Sequence, residues 1–124
     1  MTERSYRGPS SDVYMPSATT ERRRVDALRS LGLLDTAPEE RFDRLARLAV
    51  AAFGTTTSLI SLVDERRQWV KARVGSTVIE VPRDESMCAV VLEVGLLVVP
   101  DASTDPRFAD HPKVVGPPFV RFFA

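Results

Sequence analysis

The chain holds one cysteine and one histidine, the first places to look for nucleophilic, redox or metal chemistry. Cys88 follows Asp84, Ser86 and Met87 at the start of a short helical stretch, where a positive helix end would lower a thiol's pKa and make it reactive. The plainer reading is a small packing residue, because cysteine is among the most buried side chains. His111 stands in Phe108-Ala109-Asp110-His111-Pro112, a loop-like setting that suits an exposed histidine. One Cys and one His fall short of the three or four ligands of a zinc site, so no metal is expected. The carboxylate pairs Asp64-Glu65 and Asp84-Glu85 occupy turn-like positions, where solvation or helix capping explains them more simply than acid–base work. Nucleophile-elbow spacing, a phosphate-binding glycine loop and a zincin helix motif are all missing, and these residues do not point to an enzyme.

Two further groups are candidates for binding a ligand. Asp101, Asp105 and Arg107 lie in a proline-rich stretch and either meet a polar ligand or form local turns, with Asp105 capping the turn at Pro106 and Arg107 pairing with either carboxylate. Trp69, Lys71 and Arg73 alternate along a strand-like segment and are expected to share its less apolar face. An aromatic ring between cations there stacks on a ligand or is covered by an alkyl stem. In both groups the local structural reading is the simpler one. Arg22-Arg23-Arg24 would touch an anionic surface only as a cluster, and helical geometry spreads the three around the axis, which favours a solvated helix end.

Composition narrows the classes. The 124 residues are 44% hydrophobic and 27% charged, the balance of about one folded domain. Lys+Arg 17 against Asp+Glu 17 leaves no basic excess for nucleic acid. The longest apolar-rich run, Ala89 to Val99, is eleven residues interrupted by Glu93 and Gly95, well short of the roughly 20 a membrane span needs. A single cysteine forms no intrachain disulfide, and Met1-Thr2-Glu3-Arg4-Ser5 lacks the apolar core of a secretory signal, so a cytoplasmic protein is expected.

The elements that must position these residues follow from periodicity. Residues 1–19 show no apolar period and read as a disordered tail, leaving 20–124 as the domain. From Glu21, Val25, Leu28 and Leu31 form one stripe of a short amphipathic helix, a candidate dimer surface. Thr36-Ala37-Pro38-Glu39 reads as a capping box opening a second helix, whose Phe42, Leu45, Ala46, Ala49, Ala52 and Phe53 share a face and whose end is Gly54. Thr57 to Val63 predicts a strand covered on both sides, joined through the polar turn Asp64-Glu65-Arg66-Arg67 to an antiparallel partner, Gln68 to Val74. Pro82-Arg83-Asp84 breaks the chain. A short helix from Asp84 or Ser86 to Glu93 and a third strand, Leu96 to Val99, come next. Five of the nine prolines fall in the last 25 residues. They predict a long irregular segment, with one helical turn near Pro106 to Ala109, before a terminal strand from Phe119 to Ala124.

The phrases along this chain are more specific than the order of its elements. Leu31-Gly32-Leu33-Leu34-Asp35-Thr36-Ala37-Pro38-Glu39-Glu40-Arg41-Phe42-Asp43 resembles the opening of bacterial GAF domains that precede histidine kinases and diguanylate cyclases. Ser61-Leu62-Val63-Asp64, Arg67-Gln68-Trp69-Val70-Lys71, Ser86-Met87-Cys88-Ala89 and Val99-Pro100-Asp101-Ala102-Ser103-Thr104-Asp105-Pro106-Arg107-Phe108 resemble later parts of the same domains, in the same order. The resemblance implies an α+β fold, GAF-like and related to PAS domains: an antiparallel sheet with helices on one face and a loop-roofed pocket on the other.

The function implied is a non-catalytic module of bacterial signal transduction that senses an unidentified small molecule. It would pass the signal to an output domain or partner chain, as a homodimer, with no cofactor indicated. Trp69, Arg73, Cys88, Asp101, Asp105 and Arg107 are the ligand-binding candidates, and Val25, Leu28 and Leu31 those for the dimer. The alternatives are a ligand-free interaction module and, more weakly, a Cys88 thiol enzyme. Members of the family continue beyond the strand matching Phe119 to Ala124. The Leu59 to Val63 strand reads as interior, so the expectation is a fragment of a longer sensor or a sheet completed by another strand.

Overall fold

Ser17 opens the described part of the chain, residues 17–124 of a computed structural model, by capping α1 (Ala18–Ser30), where its hydroxyl oxygen accepts from the Thr20 amide at 3.2 Å. The expected tail lies outside the described residues except for its last three, and the helix starts at Ala18. The described residues fall into two compact units, Ser17–Arg83 and Asp84–Ala124.

In the first unit α1 buries Val25, while Leu28 is half-buried and Leu31 is 62% exposed. Of the proposed dimer stripe, then, Val25 is already used in packing. The second helix, α2 (Glu40–Phe53), ends as expected in a left-handed Gly54. Its start differs from the expected capping box. Glu39 is the N-cap residue and makes no capping bond with its side chain. Thr36 instead donates its hydroxyl proton to the Leu33 carbonyl and accepts from Lys71.

Three strands form an antiparallel sheet in the order β1-β2-β3: β1 (Ser58–Val63), β2 (Arg67–Val74) and β3 (Glu80–Pro82). The expected hairpin is β1–β2. The strand taken for the interior one, β1, is at the edge of this sheet, and β2 is central because β3 pairs with its other side. Polar Gln68 through Ala72 are accordingly buried, whereas Ser58 to Leu62 are half-buried. Nothing in the sequence announced β3. It is three residues long and ends in Pro82, which is tolerated at a strand terminus where no ladder donor is required.

The ladder also carries an irregularity. Ile60 faces Ala72 and Ser61 faces Val70, so Lys71 is skipped. Trp69 faces Leu62 and Arg73 faces Leu59. Leu59 and Leu62 are three residues apart on β1 and so lie on opposite faces of the sheet. Trp69 and Arg73 therefore do not share a face, as unbroken alternation had suggested. Bulges of this kind re-aim a side chain. Here the Lys71 side chain is fully buried. Its ammonium bonds Thr36 Oγ1 at 2.6 Å, the Ala37 carbonyl at 2.7 Å and the Glu39 carboxylate at 2.7 Å, above the rings of Phe42 and Trp69. The residues that read as a helix cap are thus the acceptors for a buried cation.

Helix α2 packs on β1 and β2 and buries Ala46. The apolar face expected to be buried is only partly so: Leu45 is 51% and Phe53 78% exposed, because a stripe that wide needs more sheet than these two strands supply.

The second unit is built without a sheet. A 3-10 turn at Cys88–Val90 leads into one turn of helix, α3 (Val91–Val94), in place of one continuous helix. The expected strands Leu96–Val99 and Phe119–Ala124 are reduced to one bridge, in which the Val99 and Phe123 backbones exchange hydrogen bonds of 2.6 and 2.9 Å. Met87, Val90, Leu97, Val99, Ala102, Phe108 and Val114 form its core. The expected helical turn near Pro106 to Ala109 is present, with the Ala109 amide donating to the Asp105 carbonyl at 2.8 Å, and a further turn of helix that was not expected, α4 (Pro112–Val115), follows it.

Three substitutions test this description by urea denaturation. A Cβ at Gly75, whose φ is +70°, would lie 2.1 Å from the Thr56 carbonyl oxygen, so Gly75→Ala is expected to cost at least about 2 kcal/mol. Gly32→Ala, with nothing within 4 Å, costs only the left-handed strain of about 1 kcal/mol. Lys71→Met leaves the Thr36 hydroxyl and Ala37 carbonyl without their donor and is expected to cost about 1–3 kcal/mol.

Candidate functional site

The β1–β2 turn is built from Asp64, Glu65 and Arg66 and closed by the Asp64 amide donating to the Arg67 carbonyl at 2.8 Å. Four consecutive charged residues at the end of a hairpin put both signs of charge in one place. With Arg29 from the last turn of α1 and Glu80 and Pro82 from β3, they line a cleft of about 540 Å³, within the first unit. Volumes of this order are typical of small-molecule sites.

Its charges are mostly paired. Arg29 meets Asp64 at 3.2 Å and Glu65 at 3.5 Å. Arg67 forms a two-pronged pair with Asp35, 2.7 and 2.8 Å, and reaches Glu80 at 3.1 Å. The Asp35 hydrogen bonds raise the Arg67 pKa further, and the same bonds lower that of Asp35. Arg66 differs: it is exposed and, among the described residues, its side chain makes no hydrogen bond or ion pair.

A second knot braces the cleft. Glu21 is held between Arg24 and Arg83, and hydrogen bonding to Arg24 is the main reason its carboxyl is lowered to about 2. Arg24 also donates to the Val63 carbonyl, and Arg83 to that of Glu65 at 3.1 Å. The Arg22-Arg23-Arg24 run is thus split, with Arg24 tying α1 to the end of β1 while Arg22 and Arg23 are exposed.

The ligand-binding candidates read from the sequence are not brought together in one unit. Trp69 and Arg73 lie in the first, Trp69 buried and Arg73 exposed. Cys88, Asp101, Asp105 and Arg107 lie in the second, with Cys88 half-buried in its 3-10 turn. Asp101 accepts from the amide and hydroxyl of Ser103 at 2.9 and 2.6 Å, and Asp105 takes three bonds from Arg107 at 2.7 to 3.0 Å. Both carboxyls are lowered by these partners.

His111, expected on the surface, is 2% exposed. Its Nδ1 accepts from the Lys113 amide at 3.0 Å, which caps α4, so Nε2 carries the proton and donates to the Glu85 carbonyl at 2.7 Å. Burial lowers its pKa. Among the described residues no group of three or more His, Cys, Asp and Glu side chains is placed to hold a metal ion. None of their helices is long and apolar enough to cross a membrane.

Sequence reasoning missed Arg29 and Glu80 as neighbours of the turn. The one signal was the unbroken run Asp64-Glu65-Arg66-Arg67, read only as a polar connection.

No family model matches the chain. It is 39% identical over 110 residues, 88% of its length, to Cyclic di-GMP phosphodiesterase PA2567 of Pseudomonas aeruginosa. The match spans 19% of that protein, about one-fifth of its length. This finding corrects the expectation of a purely non-catalytic sensing module and of no enzyme. The relative is named for cleaving a cyclic dinucleotide, which also displaces the ligand-free interaction module and the Cys88 thiol enzyme.

Glu21 provides a test of the brace. Its folded pKa is depressed, so its contribution to stability is complete above the ordinary value of 4.5 and is lost as pH falls from there towards about 2. Urea midpoints measured from pH 6 to 2.5 are expected to fall more steeply for the parent than for Glu21→Gln.

What the similarity to this relative establishes is narrower than a name: the chain is similar to one-fifth of a cyclic di-GMP phosphodiesterase.

Proposed function

We propose that the chain acts in cyclic di-GMP turnover, in company with phosphodiester cleavage of the kind in its relative's name. The observation that carries this is the 39% identity over 88% of the chain, which runs through both compact units. A GAF-like architecture is part of the same reading. It is supported by the α+β character, by the β1–β2 hairpin and by the five phrases quoted above in family order. The sheet and cleft of the first unit offer charged groups of both signs, which suits a ligand that carries both phosphates and hydrogen-bonding bases.

The test uses the Pseudomonas aeruginosa relative with its matching segment removed, or replaced by this chain, each incubated with cyclic di-GMP while the linear dinucleotide is followed by chromatography. Removal is expected to lower turnover at least tenfold, and replacement to restore it. Turnover unchanged by removal, together with no cyclic di-GMP cleavage or binding by this chain alone, would overturn the proposal.

A further inference from the structure

We infer that the cleft at the β1–β2 turn is a binding site for a guanine nucleotide, and specifically for cyclic di-GMP; the choice of ligand rests on the proposed function. The cleft itself stands on geometry. It lies within one unit, is of small-molecule size, and its charged side chains come from three separate elements, α1, the turn and β3.

The chemistry of its lining is specific. A guanine base presents two donors side by side, the ring N1–H and the exocyclic amino group, and two acceptors, O6 and N7. Carboxylates satisfy the first kind of edge and guanidinium groups the second. Glu65 and Glu80 have side chains that are 60% and 51% exposed, and each touches one arginine through one oxygen. Both therefore keep acceptor capacity at the mouth of the cleft. Arg29 is 52% exposed and keeps donors beyond its two carboxylate contacts.

Phosphate needs a different partner. An arginine already paired on both sides offers little net attraction to an anion, whereas an unpaired one binds a phosphate by charge-assisted hydrogen bonds. Arg66 is the one lining cation without a side-chain partner among the described residues, and it sits between Glu65 and Arg67 on the turn. The pairing of Arg67 with Asp35 and Glu80 holds that guanidinium in a fixed orientation, so the cleft is organised before a ligand arrives. Guanine donors on the glutamates, guanine acceptors on Arg29 and phosphate on Arg66 use the groups the pairs leave over.

The experiment is calorimetric titration of the full chain with cyclic di-GMP, and with cyclic di-AMP for comparison, since adenine lacks both the N1–H and the 2-amino donor. Variants are Arg66→Ala, Glu65→Gln and, away from the cleft, Arg22→Ala, each checked for folding by circular dichroism and urea midpoint. The expected result is at least tenfold weaker binding for Arg66→Ala and for Glu65→Gln, no change for Arg22→Ala, and at least tenfold preference for the guanine ligand.

Cyclic di-GMP binding that neither cleft variant weakens overturns the cleft and leaves the turnover reading standing. Equal binding of the two dinucleotides overturns the assignment to guanine. No binding by the chain, with turnover still restored in the segment-replaced relative, also overturns the cleft alone. Only turnover of the relative left unchanged by removal of its matching segment, with no binding or cleavage by the chain, removes the turnover reading too.

Discussion

A buried ammonium group governs the first unit. Burying a charge costs several kcal/mol unless every proton finds an acceptor, and Lys71 finds three, all on the stretch between α1 and α2. The requirement runs in both directions. The connection must pass over β2 at that point, and β2 must bulge there to aim the side chain away from its normal alternation. The start of α2 follows from this, since Glu39 and Thr36 face Lys71 and are lost to helix capping. Phe42 in the first turn of α2 and Trp69 on β2 close over the same cation.

The turn end of the hairpin is organised by a different balance. Exposed ion pairs are each worth only about 0–1 kcal/mol, so the arginine–carboxylate network around the cleft contributes more to orientation than to stability. Arg24 and Arg83 reach backbone carbonyls as well as Glu21, which holds α1, the end of β1 and the end of β3 in register with one another. Such a framework keeps the cleft open and its walls fixed while leaving charged groups at its mouth solvated. The similarity to part of a cyclic di-GMP phosphodiesterase gives those groups a chemical context.

Residues 84–124 follow a third logic. Their core is aliphatic and aromatic, with Phe108 and Phe123 in tilted contact at 6.0 Å between ring centres. His111 enters as a neutral polar peg with both ring nitrogens satisfied, and Asp101 and Asp105 close local turns with their own neighbours. Backbone hydrogen bonds at Val99–Phe123 and from the Ala102 amide to Arg121 replace the ladder that the apolar runs had suggested. The prolines at 112, 117 and 118 suit that irregular course, because each removes a ladder donor.

Local periodicity and turn chemistry were enough to determine α1 and α2, the β1–β2 hairpin, the Gly54 cap and the local turns at Asp101 and Asp105. Each of these is set by residue types and spacing within one short stretch of the chain. The bulge at Lys71, the use of Thr36 and Glu39 as its acceptors, the pairing of β3 and the burial of His111 were decided only by tertiary structure. The pairings and bonds involved join residues 9 to 35 positions apart. The same division holds for the cleft. Its charged turn stands in the sequence as four consecutive residues, but Arg29 and Glu80 join that turn only when α1 and β3 pack beside it. Hydrogen bonds and ion pairs of that reach depend on where whole elements come to rest, which neither hydrophobic spacing nor residue type encodes.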